Sequence, residues 1–324
     1  MLASEIIRRV REIQVRTGRH VADVLAGEYN SVFRGSGIEF DEVRPYLPGD
    51  DIRTIDWNVT ARMGEPFVKR YVEERQLTLM VMADISASQE FGSGRRSKRE
   101  AAAELCALLA FSATQNDDKI GLALFHDEIE QFIPPRKGQR HALRVVREVL
   151  AHGQEESSEP PKKGRRGRPA GAARRRGSSR RAKEKRRGTS IGGALEFFLS
   201  VTQRRSVCFI VSDFLDDDRW ERAIRSANRK HDVIAVLITD PHELEIPNVG
   251  LITLQDAESG RSQLFDTSKR SFRNKVEQLS RSRVEALRSQ LTTSGIDLIH
   301  IDAAGSVVDP LVKFFKARER RMRR

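Results

Sequence analysis

The sequence predicts an α/β fold: a doubly wound, mostly parallel sheet preceded by a small β-rich N-terminal module. Three observations predict it. Downstream of residue 75, short apolar runs of strand length alternate with longer segments of helical period. The strand runs are nearly continuously apolar, the pattern of strands covered on both faces of a parallel sheet. Residues 1–75 break that rhythm with glycines, prolines and short β-prone pieces.

Taken in order, residues 4–16 read as an amphipathic helix and the rest of 1–75 as the β-rich module. The α/β body spans 76–318. Its first strand is 77–86, apolar until it runs into polar residues. Residues 97–116 are rich in alanine and leucine and carry an apolar stripe, which predicts a helix. A strand over 119–127 and a helix over 141–150 follow. Beyond residue 187 come a helix at 190–203, a strand at 206–214, a helix at 218–230 and a strand at 232–240. Residues 251–267 read as two short strands around Ser259-Gly260. A long helix over 271–295 is closed by Gly295, then a last strand at 296–302 and a C-terminal helix with a basic tail.

The stretch 154–187 interrupts this body. It holds fourteen lysines and arginines against four glutamates, which accounts for +10 of the chain's net +12. Its apolar side chains are a few alanines, too little to offset the entropy of ordering. The sequence therefore predicts a disordered basic insertion inside a nearly neutral folded body. Such a segment could touch nucleic acid through counterion release. It has no aromatic residue for stacking on bases, and a solvated linker is the plainer reading.

No apolar stretch reaches the ~20 residues that span a membrane. The N-terminus alternates charged with apolar residues, unlike a signal peptide, so a cytoplasmic location is expected. Cys106 and Cys208 lie in apolar runs and read as small buried residues rather than a disulfide or a zinc site. There is no Walker A loop, dinucleotide fingerprint or nucleophile elbow. His126-Asp127-Glu128 offers acid–base groups, although a loop after a strand explains the triplet better. On these grounds the chain is expected not to be an enzyme.

In open α/β sheets, ligands gather at the carboxyl ends of the strands. Three such places carry oxygen ligands here. The first strand runs into Asp84-Ile85-Ser86-Ala87-Ser88, where alternate side chains of an extended segment point the same way. Thr189 directly precedes a predicted helix, and Asp213 ends the strand 206–212. Two carboxylates and three hydroxyls suit Mg²⁺, Mn²⁺ or Ca²⁺ rather than zinc. The competing reading has Asp84 merely ending its strand and Ser86 and Ser88 capping the next helix. The arrangement resembles the metal-ion-dependent adhesion site of von Willebrand factor A domains, whose fold is Rossmann-like. That resemblance implies that Asp84, Ser86 and Ser88 bind the ion directly, with Thr189 and Asp213 binding directly or through water.

A second signature lies upstream: Gly37 to Tyr46, Pro48-Gly49-Asp50-Asp51-Ile52-Arg53, Ile55-Asp56-Trp57-Asn58 and Pro66-Phe67-Val68-Lys69. It continues through Glu73-Glu74-Arg75 and Pro134-Pro135-Arg136-Lys137-Gly138. This stretch resembles the DUF58 family, prokaryotic proteins with a von Willebrand A-like domain. The resemblance implies association with MoxR-type AAA+ ATPases, thought to act as chaperones in the assembly or maturation of other proteins. Read from the residues alone, Asp41, Glu42, Asp50, Asp51 and Asp56 interleave with Arg44, Arg53, Arg62, Lys69 and Arg70. Asp50, Asp51, Arg53, Asp56 and Trp57 form a candidate partner-binding surface. Alternatively the charges hold the module to the α/β body, with Trp57 as anchor.

Three functions are consistent with these features. The expected one is a non-enzymatic, metal-dependent protein-interaction adaptor, with a partner's acidic residue completing the coordination of the ion. The second is a hydrolase using the same ion. The third is a nucleic-acid-associated protein acting through residues 162–187.

Overall fold

The structure, a computed structural model, describes residues 38–73, 76–94, 96–151, 188–216, 220–255 and 261–322. The helix expected over 4–16 and the basic insertion 154–187 lie outside the described residues.

The N-terminal module is built on two antiparallel strands, β1 (Ile38–Pro45) and β2 (Phe67–Glu73), with a bulge between Phe40 and Glu42. The chain between them makes a 3₁₀ turn, Ile52–Thr54, and a short helix, α1 (Trp57–Met63). Two backbone bonds pin this excursion to the start of β2: Tyr46 N–H to the Pro66 carbonyl and Asp56 N–H to the Phe67 carbonyl, both 2.8 Å. A short helix between the strands, which the sequence does not predict, fills the middle of the module. Asp56 starts that helix by accepting the N–H groups of Asn58 and Val59. Gly64, at φ +79°, ends it in the left-handed conformation that glycine adopts at no steric cost.

The main body is a six-stranded sheet in the order β10-β7-β6-β3-β4-β5. Its strands are β3 (Thr78–Asp84), β4 (Lys119–Phe125), β5 (Ile129–Arg136), β6 (Val207–Ser212), β7 (Asp232–Thr239) and β10 (Asp297–Asp302). All neighbours pair in parallel except β5, which runs antiparallel to β4 at one edge. The antiparallel hairpin β8 (Leu251–Gln255) and β9 (Ser262–Asp266) stands apart from this sheet. The expected doubly wound, mostly parallel sheet is what forms.

Strand periodicity splits the core in two. Leu79, Val81 and Ala83 of β3 point to one face, and Met80 and Met82 to the other. The first face is covered by α2 (Lys98–Gln115), α3 (Gln139–Ala151) and α8 (Val308–Met322). The second is covered by α4 (Ile191–Val201), α5 (Glu221–Lys230) and α7 (Arg270–Thr293). Because both faces are packed, the central strands need apolar side chains at every position, and β6 is buried along its whole length. Each fully buried leucine, valine or phenylalanine contributes ~1.5–3 kcal/mol of transfer free energy.

Cys106 lies in one cluster and Cys208 in the other, so the sheet separates them, and both are free thiols. Burial pushes the Cys106 thiol up to about 12, which leaves it inert.

β5 has no counterpart among the elements the sequence predicts. Pro134 and Pro135 argue against a strand, but on an edge the outward side of the ladder needs no N–H donors. A one-turn helix, α6 (Pro241–Leu244), was likewise not predicted. It starts at Asp240, immediately beyond β7, with a capping box closed by Glu243.

Candidate metal centre

β3 and β6 are adjacent and parallel, with Ala83 opposite Val211. Their ends therefore leave the sheet side by side, and Asp84 meets Ser212 and Asp213. The Ser212 hydroxyl donates to Asp84 Oδ2 at 2.6 Å. The Thr189 hydroxyl reaches the same oxygen at 3.5 Å. Asp84 Oδ1 accepts the Ser86 N–H at 2.8 Å, and the Ser86 and Ser88 hydroxyls lie 3.0 Å apart. All five sequence-predicted residues, Asp84, Ser86, Ser88, Thr189 and Asp213, are buried.

The alternative role for the serines does not hold. Ser86 precedes a 3₁₀ turn, Ala87–Glu90, but its side chain makes no capping bond there. The next helix, α2, is capped by Ser97 with a full Ser97–Glu100 capping box. The hydroxyls of Ser86 and Ser88 are thus left for the cluster itself.

Thr189 is held by its neighbours. Ser190 N–H donates to the His126 carbonyl at 2.8 Å, and Ile191 N–H to Asp216 Oδ2 at 2.8 Å. These bonds fix the entry to α4 against the β4–β5 turn. On the far side, Phe214 adopts φ +54°, uncommon for a residue with a bulky side chain. The turn is stabilised by Phe214 N–H to Ser212 Oγ at 3.0 Å and Leu215 N–H to Asp213 Oδ1 at 3.2 Å.

Burial, reinforced by the negative charge of Asp213, pushes the Asp84 carboxyl up to about 6. The hydrogen bonds from Ser212 and Ser86 offset only part of that cost. Two carboxylates and three hydroxyls, with no nitrogen or sulfur among them, fit a hard divalent cation. Among the described residues no three His, Cys, Asp or Glu side chains converge as a metal cluster, so hydroxyls must supply much of any coordination shell.

Sequence reasoning missed three residues here: Ser212, Lys98 and Glu243. Lys98 Nζ donates to Asp213 Oδ2 at 2.8 Å and to Glu243 Oε1 at 2.5 Å. Its place beside a capping box reads as a solvated helix start, and no sequence signal links it to a carboxylate over a hundred residues away. Ser212 carried a weak signal, a polar residue ending an apolar strand next to Asp213.

A family model described as "Protein of unknown function DUF58" matches residues 42–286. The chain belongs to the DUF58 family. The uncharacterized proteins Mb1516 of Mycobacterium bovis and Rv1480 of Mycobacterium tuberculosis are each 30% identical to it over 251 residues, covering 78% of this chain and 70% of theirs. Among solved structures it is similar to the conserved hypothetical protein BatB from Bacteroides thetaiotaomicron, at 13% identity and a TM-score of 0.41, over 75% of this chain and 99% of that one. It is also similar to the SpRpn10 VWA domain, at 11% identity and a TM-score of 0.34, over 73% of this chain and 94% of that one.

In this DUF58 chain the upstream signature has mostly local duties. Arg44 grips Asp50 with two bonds of 2.8 and 2.7 Å and holds its carboxyl below the usual range. Asp51 caps the 3₁₀ turn, and Asp56 caps α1 while pairing with Lys69 at 3.2 Å. Glu42 pairs with Arg70 at 3.2 Å. These ion pairs close within the module rather than against the α/β body. Trp57 is 67% exposed, so it does not anchor the two parts as the alternative reading required. Arg53 is exposed as well.

His126 is occupied in closing the β4–β5 turn. Its Nδ1 accepts the Asp127 N–H at 2.7 Å and the Glu128 N–H at 3.3 Å, a structural use of the triplet. No helix among the described residues is long and apolar enough to cross a membrane.

Proposed function

We propose that this DUF58 protein is a metal-dependent protein-interaction module. Asp84, Ser86, Ser88, Thr189 and Asp213 would hold Mg²⁺, or Mn²⁺ or Ca²⁺ in its place. The bound ion would supply an open coordination position to an acidic side chain of a partner protein. The observation that carries this reading is that Thr189 and Ser212 both reach Asp84 where β3 and β6 end, with Ser86 and Ser88 in mutual contact beside it and the charge of Asp213 acting on the same carboxyl.

The chain's own residues do the preparatory work. Ser212 and the Ser86 N–H orient Asp84, and the turn at Phe214 orients Asp213. His126, whose carbonyl accepts the Ser190 N–H next to Thr189, is engaged in its own turn. That supports a binding role without turnover.

The family resemblance points to a MoxR-type AAA+ ATPase as partner, in chaperone-like assembly or maturation of other proteins at a cytoplasmic location. Trp57, Arg53, Asp51 and Ile52 are among the exposed side chains of the upstream signature that could meet it.

The deciding experiment is Mg²⁺ and Mn²⁺ calorimetry on the wild type and on Asp84→Ala, with circular dichroism of both. Binding in the wild type, lost in a folded Asp84→Ala, is the expected result. An equal heat in both proteins would remove Asp84 from the site and end this reading.

A further inference from the structure

Lys98 is the first residue of α2, and its position is a poor one for a charge. The side chain is wholly excluded from water. A cation at a helix N-terminus also faces the positive end of the macrodipole. Burying an ammonium group is strongly unfavourable unless it is paired and hydrogen-bonded. Two carboxylates meet that need. One is Asp213, as dry as the lysine itself, and the other is Glu243, which keeps 21% of its side chain exposed.

Glu243 is not placed by chance. Its second oxygen accepts the Asp240 N–H at 3.2 Å in the α6 capping box. Asp240 in turn accepts the Ser93 N–H at 2.8 Å, which ties the loop before α2 to the end of β7. The lysine is therefore clamped from two sides: from β6 through Asp213, and from β7 through α6.

Packing alone gives an ion pair no advantage here, because a buried salt bridge is often no better than apolar residues of similar volume. What an apolar side chain cannot supply is a fixed positive charge beside one carboxylate of the candidate metal centre. An ion bound near Asp213 meets that charge as repulsion, and it finds the carboxylate already engaged.

We infer that Lys98 is an internal counter-cation that competes with the divalent ion for Asp213 and so sets the affinity of the centre, with Glu243 dividing the lysine between two carboxylates. The inference rests on the metal-centre reading above. Lys98 is not among the side chains that would hold the ion, and it acts on the centre through its bond to Asp213. Without the lysine, Asp213 turns its full charge to the ion. Without the charge on Glu243, the lysine is left to Asp213 and the ion binds less well.

The test is Mn²⁺ calorimetry on the full chain, with melting temperature measured with and without the ion, for wild type, Lys98→Met and Glu243→Gln. Glutamine also serves in a capping box, so the second variant keeps the α6 turn. Lys98→Met is expected to bind Mn²⁺ roughly tenfold tighter or more, from loss of a nearby like charge at low effective dielectric. Its melting temperature should rise more on adding the ion than that of the wild type. Glu243→Gln is expected to bind several-fold more weakly. Unchanged or weaker binding in folded Lys98→Met overturns the inference. If Lys98→Met does not fold, Glu243→Gln decides alone: weaker binding supports the inference, and unchanged or tighter binding overturns it. Binding in the wild type with neither variant altered defeats this inference and leaves the metal centre standing. No binding in any of the three proteins defeats both.

Discussion

The hydroxyl of Ser212 donates to Asp84 Oδ2 across 2.6 Å, joining the buried last residues of two neighbouring strands. A hydrogen bond to a buried carboxylate is worth more than a neutral one. Ser212→Ala removes it without changing the strand, and also removes the acceptor of the Phe214 N–H. Urea unfolding should show a loss of about 1.5–3 kcal/mol, the range for hydrogen bonds to charged groups. A loss below ~0.5 kcal/mol would mean that Asp84 is oriented by other groups.

Gly121 sits on β4 beside the irregular register with β5. A Cβ there would lie 2.9 Å from the Ile133 carbonyl oxygen, the Met80 sulfur and Pro135 Cγ. The sulfur can swing away, but the backbone carbonyl cannot without shifting the edge strand. Gly121→Ala is expected to destabilise the fold by roughly 1–3 kcal/mol, as overpacking does, measured as a lower denaturant midpoint.

His231 is buried at the end of α5, with its ring 4.5 Å from that of Phe198 and its Nδ1 3.0 Å from Ser206 Oγ. Burial, with Lys230 and Arg205 adding repulsion, lowers its pKa to about 4. The folded protein then binds fewer protons than the unfolded chain between about pH 4 and 6.5. Stability should fall as the pH drops through that window, by on the order of 3 kcal/mol in full from this residue. Replacing the histidine with glutamine should flatten the slope. Urea midpoints at pH 7 and 4.5 for the two proteins check the sign.

Trp57 is a large exposed aromatic on a short helix, the residue type most enriched among energetic anchors of interfaces. Trp57→Ala should change the melting temperature little, since surface substitutions usually stay within ~0.5 kcal/mol. If the partner is the MoxR-type ATPase proposed above, its capture by the full chain should weaken by roughly tenfold or more. Undiminished capture would move the partner surface elsewhere.

Much of the fold was legible because the doubly packed strands β3, β6 and β7 are apolar along almost their whole length. Their ends are legible too, since a polar residue after such a run marks where the chain leaves the sheet. That is how Asp84 and Asp213 could be placed near each other from sequence. β5 was hidden by Pro134 and Pro135, whose meaning reverses at a sheet edge. α1 was hidden inside a region of turn residues, where Asp56 and Gly64 serve as helix caps rather than loop formers. Lys98 was hidden for a different reason. Its environment is created by β6 and α6 meeting α2 in space, and no local pattern carries that.

Asp84 and Ser212 are 128 positions apart in the chain, and α2, β4, β5, α3 and α4 all come between them. Contacts of such long sequence separation require a large loop to close before they are rewarded. The cluster therefore cannot exist in a partly folded intermediate that lacks the β3–β6 pairing. Anything that binds it draws on the global folding equilibrium rather than on a local one. A ligand present at a hundred times its dissociation constant would add about 2.7 kcal/mol to the whole domain, acting as a late lock on a chain that has already found its topology.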